Sequence, residues 1–190
     1  MTPAAGKFGQ ALHVTDDQTF ILVPYAADLA LNTFSVSVWV NLADLAAIRG
    51  IVGTRINGNF TFDLKATSTM VRGDIGNGTA WLNSASDIPA SRGGVLTTGV
   101  WHHLVYVVDN AAQNVRMYLD GAPAATAAFT VKGTPLFMTP AVSLGIGSCY
   151  DGAVERMRGL IDDVRLYNRA LSDAEAAALA GRTDPFAQPF

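Results

Sequence analysis

Residues Thr33–Val40 alternate without a break: Phe34, Val36, Val38 and Val40 fall on one side, Ser35, Ser37 and Trp39 on the other. A period of two belongs to a β-strand with one face turned to a core, and no helix presents it. The same period returns at Leu104–Val108 and Val115–Leu119, joined by the polar stretch Asp109–Asn114, which predicts a hairpin. Further strands are expected at Gln10–Val14, Thr19–Val23, Gly50–Arg55, Phe60–Lys65, Met70–Ile75, Thr126–Val131, Val142–Ile146 and Gly159–Tyr167. Between them stand Asn57-Gly58, Asn77-Gly78, Asp120-Gly121 and Asp151-Gly152, pairs that tolerate the positive φ of tight turns. Regularly spaced strands with turns between them indicate an all-β sandwich or barrel.

One helix interrupts the pattern. Ser172 and Glu175 form a capping box, Asp173 adds negative charge to the first turn, and Leu171, Ala176 and Leu179 can pack inward before Gly181 ends the helix. Residues 1–5 are read as an N-terminal extension, 6–181 as one domain, and 182–190, with Pro185 and Pro189, as a tail or the start of a linker. The chain has 190 residues, 49% of them hydrophobic and 15% charged, which suits one well-filled core. Its net charge of −3, without any basic run, points away from nucleic acid. No stretch approaches the ~18 apolar residues of a membrane span, so membrane insertion is not expected. Cys149 is the only cysteine, which leaves no internal disulfide and no thiolate metal cluster.

Several segments resemble the bacterial laminin-G-like, concanavalin-A-like lectin/glucanase domains. They are Gly159-Leu-Ile-Asp-Asp-Val-Arg-Leu-Tyr-Asn-Arg-Ala-Leu-Ser172 with its following helix, and Gly99-Val-Trp-His-His-Leu-Val-Tyr-Val-Val-Asp109 with Val115-Arg-Met-Tyr-Leu-Asp-Gly121. The opening Gly6-Lys-Phe-Gly-Gln-Ala-Leu12 and the strand Phe34–Val40 match in the expected order. The resemblance spans Gly6 to Gly181. It implies an antiparallel two-sheet jelly-roll sandwich with one short C-terminal helix. It also implies an exported accessory module, extracellular or at the cell surface and excised from a larger protein, that binds a polysaccharide or other glycan. The alternatives are a protein-binding adhesion module and a structural spacer.

The residues themselves argue against glycoside hydrolysis. A retaining enzyme needs two carboxyl groups about 5–5.5 Å apart, and related glucanases carry them as Glu-x-Asp-x-x-Glu on one strand. This chain has two glutamates, Glu155 and Glu175, and no such strand. His102 and His103, as strand neighbours, face opposite ways and cannot chelate one ion. The resemblance implies a structural calcium ion between an early acidic turn and the last long strand, for which Asp16 and Asp17 with Asp162 and Asp163 are the candidates. Oxygen ligands suit calcium, although the early turn lacks the glycine the family commonly carries before the acids. Trp39 and Trp101 lie within the resembling segments and are assigned to packing. Trp81 lies outside them, ahead of the polar run Asn83–Asp87, and is the expected stacking platform for a sugar ring. Asn83 and Asp87 are its expected polar neighbours, Tyr150 with Asp151 in the Ser148–Arg156 loop is a second candidate, and Arg156 is a further one.

Overall fold

The computed structural model describes residues 2–15, 20–55, 59–83, 87–89, 93–150 and 155–183. In chain order the strands are β1 (Thr2–Ala5), β2 (Gln10–Val14), β3 (Ile21–Val23), β4 (Phe34–Leu42), β5 (Arg49–Arg55), β6 (Phe62–Ala66), β7 (Met70–Gly76) and β8 (Trp81–Asn83). There follow β9 (Ile88–Pro89), β10 (His102–Asp109), β11 (Asn114–Leu119), β12 (Ala122–Ala128), β13 (Leu144–Ile146), β14 (Ser148–Tyr150) and β15 (Gly159–Tyr167), and then the helix α1 (Asp173–Ala180). One sheet runs β1-β2-β15-β4-β10-β11-β12. The other runs β3-β13-β5-β6-β7-β8, with β14 on β5 and β9 on β7. Every pairing is antiparallel except β14 with β5. This is the expected two-sheet jelly-roll.

The alternation read from Thr33–Val40 builds β4. Phe34, Val36, Val38 and Val40 are at most 1% exposed and face the core between the sheets. Phe34, Phe62 and Phe137 meet there, with centroids 4.8–5.6 Å apart, and Tyr106 closes on Phe62 at 5.3 Å. Gly73 makes room for Tyr106: a Cβ at residue 73 would stand 2.2 Å from the tyrosine ring. Ser35, Ser37 and Trp39 are buried too, because the outer face of this sheet is also covered. Ser35 Oγ donates to the Arg169 carbonyl and accepts from the Leu171 N–H, anchoring the approach to α1. The helix lays Leu171, Ala176 and Leu179 over Val105, Val107 and Tyr118. Ser172 and Glu175 form the expected capping box, and Gly181 closes the helix in the right-handed region.

Several boundaries differ from the sequence reading. Residues 2–5 are not an extension: they form β1, paired with β2. The strand expected at Thr126–Val131 begins at Ala122, because Asp120 and Gly121 both take positive φ and return the chain at once. The turn pairs Asn57-Gly58 and Asp151-Gly152 lie outside the described residues. His102 and His103 do face opposite ways. His103 is 1% exposed and bonds Ser37 Oγ through Nε2, whereas His102 bonds Asp120.

Candidate functional site

In β6, Phe62, Leu64 and Ala66 face the core, so Asp63 and Lys65 stand on the opposite face of the sheet. In β7 the core residues are Val71 and Ile75, and Arg72 and Asp74 take the other face. The register sets Asp63 opposite Asp74 and Lys65 opposite Arg72. Like charges directly opposite one another are unfavourable, so this pairing needs neutralisation. Lys65 Nζ supplies part of it, 3.0 Å from Asp63 and 3.1 Å from Asp74. Arg55, at the end of β5, reaches Asp63 at 2.7 Å and Glu155 at 2.6 Å. Arg72 spans Asp74 at 3.4 Å and Asp87 at 3.7 Å.

This ionic floor is desolvated: Asp63 is 0% exposed and Asp74 2%. Part of the cover is Cys149, which can lie against β5 because residue 53 is glycine; a Cβ there would be 2.6 Å from the Cys149 carbonyl. Burial raises the Asp63 carboxyl to about 7, and the neighbouring Asp74 adds to the rise against the pull of Lys65 and Arg55. Asp63 Oδ1 has no protein donor. Burial likewise pushes up the Cys149 thiol. On Glu155 burial acts upward too, but Lys65, Cys149 and Arg55 outweigh it and hold the carboxyl below its ordinary value.

Two metal arrangements can be weighed against this geometry. Ligand atoms of Asp63, Cys149 and Glu155 lie within 4.8 Å of one another. Lys65 and Arg55 neutralise the two carboxylates through Asp63 Oδ2 and Glu155 Oε2, and the thiol donates to the same Glu155 oxygen at 3.1 Å. The trio is therefore an internally neutralised cluster and does not suit a cation. The expected calcium site meets a similar obstacle. Asp16 and Asp17 lie outside the described residues. Asp162 accepts the Phe8 N–H at 2.9 Å and the Asp163 N–H at 2.7 Å, one on each oxygen. Asp163 binds Arg165 with one oxygen and Arg182 with the other, at 2.6 and 2.7 Å. Two guanidinium groups leave it no uncompensated charge. The ladder shifts between Asp162 and Arg165, and Asp163 takes φ 48°. The chain leaves β2 opposite Gly159, three residues or ~10 Å along β15 from Asp162. Asp163 is thus committed to two guanidinium groups and Asp162 to two backbone N–H groups.

Trp81 pairs with Gly76, which shares a face with Asp74 and Arg72, so the indole belongs to the outer face. It is partly exposed and packs on Phe60 with centroids 5.3 Å apart. Arg72 lies four residues from Gly76, about 13 Å along β7. A strip thus runs from the Phe60–Trp81 pair to the Arg72–Asp87 pair above the ionic floor.

The other expected binding residues lie as follows. Asn83 is 1% exposed and donates to the Ala128 carbonyl at 2.8 Å; it ties β8 to its surroundings and is no rim group. Arg156 stacks on Phe20 at 3.8 Å and bridges Ser148 through its backbone. Tyr150 pairs by its backbone with Arg55 of β5, three strand spacings or ~14 Å from β8. Asp151 lies outside the described residues. The neighbours of Trp81 are Phe60 and, along the strip, Arg72 and Asp87. The alternating charges of 62–66 and 71–75 were the signal that could have located the ionic floor.

A groove of about 940 Å³ lies elsewhere, beside β15 and α1, with Leu29, Leu31, Tyr167, Arg169 and Leu179 in its walls. Arg169 there is paired with Glu175, and Arg165 and Arg182 with Asp163. Size favours this groove and chemistry favours the strip. The strip is the better candidate, because buried charge contributes little to stability and collects where a surface has another task.

A family model for the concanavalin A-like lectin/glucanases superfamily matches residues 15–177. The adhesion G-protein coupled receptor V1 of Danio rerio is 28% identical over 167 residues, which is 83% of this chain and 2% of the receptor, so the chain spans a small fraction of that relative. Among solved structures, the CBM40 of the Ruminococcus gnavus IT-sialidase superposes with a TM-score of 0.70 at 16% identity, covering 90% of this chain and 97% of that one. Domain 4 of an extracellular GH43 arabinanase from Geobacillus stearothermophilus, solved with arabinotriose, gives 0.67 at 23% identity, covering 94% and 80%. At these identities the structures show a shared fold.

Proposed function

The chain belongs to the concanavalin A-like lectin/glucanase superfamily, and from that premise we propose that it is a non-catalytic, glycan-binding accessory module of a larger exported protein. The carrying observation is the strip itself: a partly exposed Trp81 backed by Phe60, in line with the planar hydrogen-bonding groups of Arg72 and Asp87. A sugar offers an apolar C–H face and a rim of hydroxyls, which such a strip matches. Its length of ~13 Å suits a short oligosaccharide lying along β7. The arabinotriose complex of the arabinanase domain, and a sialyllactose complex of the sialidase CBM40, support the reading by likeness of fold.

The buried acids are poor candidates for hydrolysis. Asp63 and Asp74 are covered, and Lys65 bridges them, so no sugar ring can lie between them. No described helix is long and apolar enough to cross a membrane. An adhesive, protein-binding role is the alternative, supported by the match to the adhesion receptor.

One stacked ring and a few exposed hydrogen bonds leave little surplus after ordering costs, so a dissociation constant of ~10⁻⁴ M is expected. The test is calorimetric titration of a panel of oligosaccharides into wild type and Trp81→Ala, with melting temperatures recorded for both. Binding lost at least tenfold, with the melt lowered by only a few degrees, supports the site. Binding unchanged in the variant overturns it.

A further inference from the structure

Resting on the glycan-site reading above, we propose that Asp87 is a specificity determinant: by holding Arg72 it makes the strip accept uncharged glycans and discriminate against acidic ones. Among the described residues the face carries three cations, Arg55, Lys65 and Arg72, and four carboxylates, Asp63, Asp74, Asp87 and Glu155. Each cation lies within 4.0 Å of at least two of these carboxylates. With all four acids ionised the face has one excess negative charge; a proton on Asp63 makes it neutral. A ligand carboxylate therefore meets a surface whose positive charge is already spent, and adds repulsion from Asp87 and Asp74.

The rim decides the matter, because the floor cannot be reached. Asp63 and Asp74 side chains are 0% and 3% exposed, whereas Arg72 is 39% exposed and Asp87 27%. Arg72 is the cation an acidic sugar can approach, and Asp87 is the rim carboxylate beside it. Asp74 remains bound to Lys65 whatever happens at the rim. Complementary charge selects partners more than it adds affinity, and like charges brought together exclude them.

The experiment uses oligosaccharides in matched pairs: lactose with 3′-sialyllactose, and xylotriose with the same chain bearing one glucuronic acid. Affinities are measured for wild type, Asp87→Asn and Asp28→Asn, the last making the same change in net charge at an exposed residue in the wall of the groove beside α1. In wild type the neutral member of any bound pair is expected to bind more tightly. In Asp87→Asn the gap narrows or reverses through a gain of roughly fivefold for the acidic member, while Asp28→Asn keeps the wild-type ratio. Tighter binding of the acidic member by wild type overturns the inference. So does an unchanged ratio in Asp87→Asn with an unaltered melting temperature. Failure of every sugar to bind, or binding that survives Trp81→Ala, overturns instead the site reading on which the inference rests.

Discussion

On the outer face of the seven-stranded sheet, Val105, Val107 and Tyr118 lie under Leu171, Ala176 and Leu179. On the outer face of the other sheet, equally hidden from water, stand Asp63, Lys65 and Asp74. The first face is closed by apolar packing and is part of what holds the domain together. The second hides charges that must be neutralised pair by pair. Burying charge costs several kcal/mol per ion before attraction offsets it, so the second face is poorly explained by stability alone. The two faces also couple to protons with opposite sign. Burial holds His103, on the first face, down at about 4, so its ring stays neutral. Burial holds Asp63, on the second, up at about 7.

The comparison breaks most readily at Lys65. Lys65→Ala leaves Asp63 and Asp74 facing each other without their shared cation and should cost about 3–5 kcal/mol by chemical denaturation. Replacing Asp63, Lys65 and Asp74 together by Leu, Met and Leu should recover most of that loss. A triple variant as unstable as the single one would show that the ionic floor is itself a stabilising element. Leu171→Ala, on the apolar face, should cost about 2–4 kcal/mol, with no compensating substitution on the other sheet; a loss under 1 kcal/mol would mean that the helix is not a structural cover.

The smallest effect is in pH. Asp63 rises from about 4 in the unfolded chain, so its folded form holds an extra proton between pH 4 and 7. The stability this gives is complete at the acid end and is lost as pH rises through 7. His103 is depressed from about 6.5, so its contribution is complete above that value and is lost as pH falls toward 4. The two oppose each other between pH 4 and 6.5. Asp63→Asn should leave a stability that rises with pH across that window, and His103→Gln one that falls toward pH 7, each by up to about 1.4 kcal/mol per pH unit. Parallel curves for all three proteins would contradict the contrast between the faces.

The apolar face was more legible in the sequence than the ionic one, for a physical reason. β4, the β10–β11 hairpin and the Ser172–Glu175 cap are local patterns, set by periodicity and by contacts three residues apart. The meeting of Asp63 with Asp74 depends on the β6–β7 register and their burial on the segment around Cys149, which are tertiary facts. Asn83 looked like a loop hydrogen bonder because its partner, the Ala128 carbonyl, lies 45 residues away. Neither the bulge at Asp162–Arg165 nor the arrival of Arg182 at Asp163 is written beside these acids. Trp81 stands apart in the sequence because it alone among the tryptophans lies outside the segments that resemble the family.

The central claim is that the ligand lies on the ionic face at Trp81. The chain's three tryptophans give three indole N–H signals in a ¹⁵N-correlated NMR spectrum, and titration with a bound oligosaccharide reads them separately. The account predicts that the Trp81 indole shifts progressively to saturation, with the Arg72 side-chain signal following, while the Trp39 and Trp101 indoles and the amides of Tyr167 and Arg169 stay in place. Shifts confined to Tyr167, Arg169 and Leu179, with the Trp81 signal unmoved, would put the ligand in the groove beside α1 and contradict it.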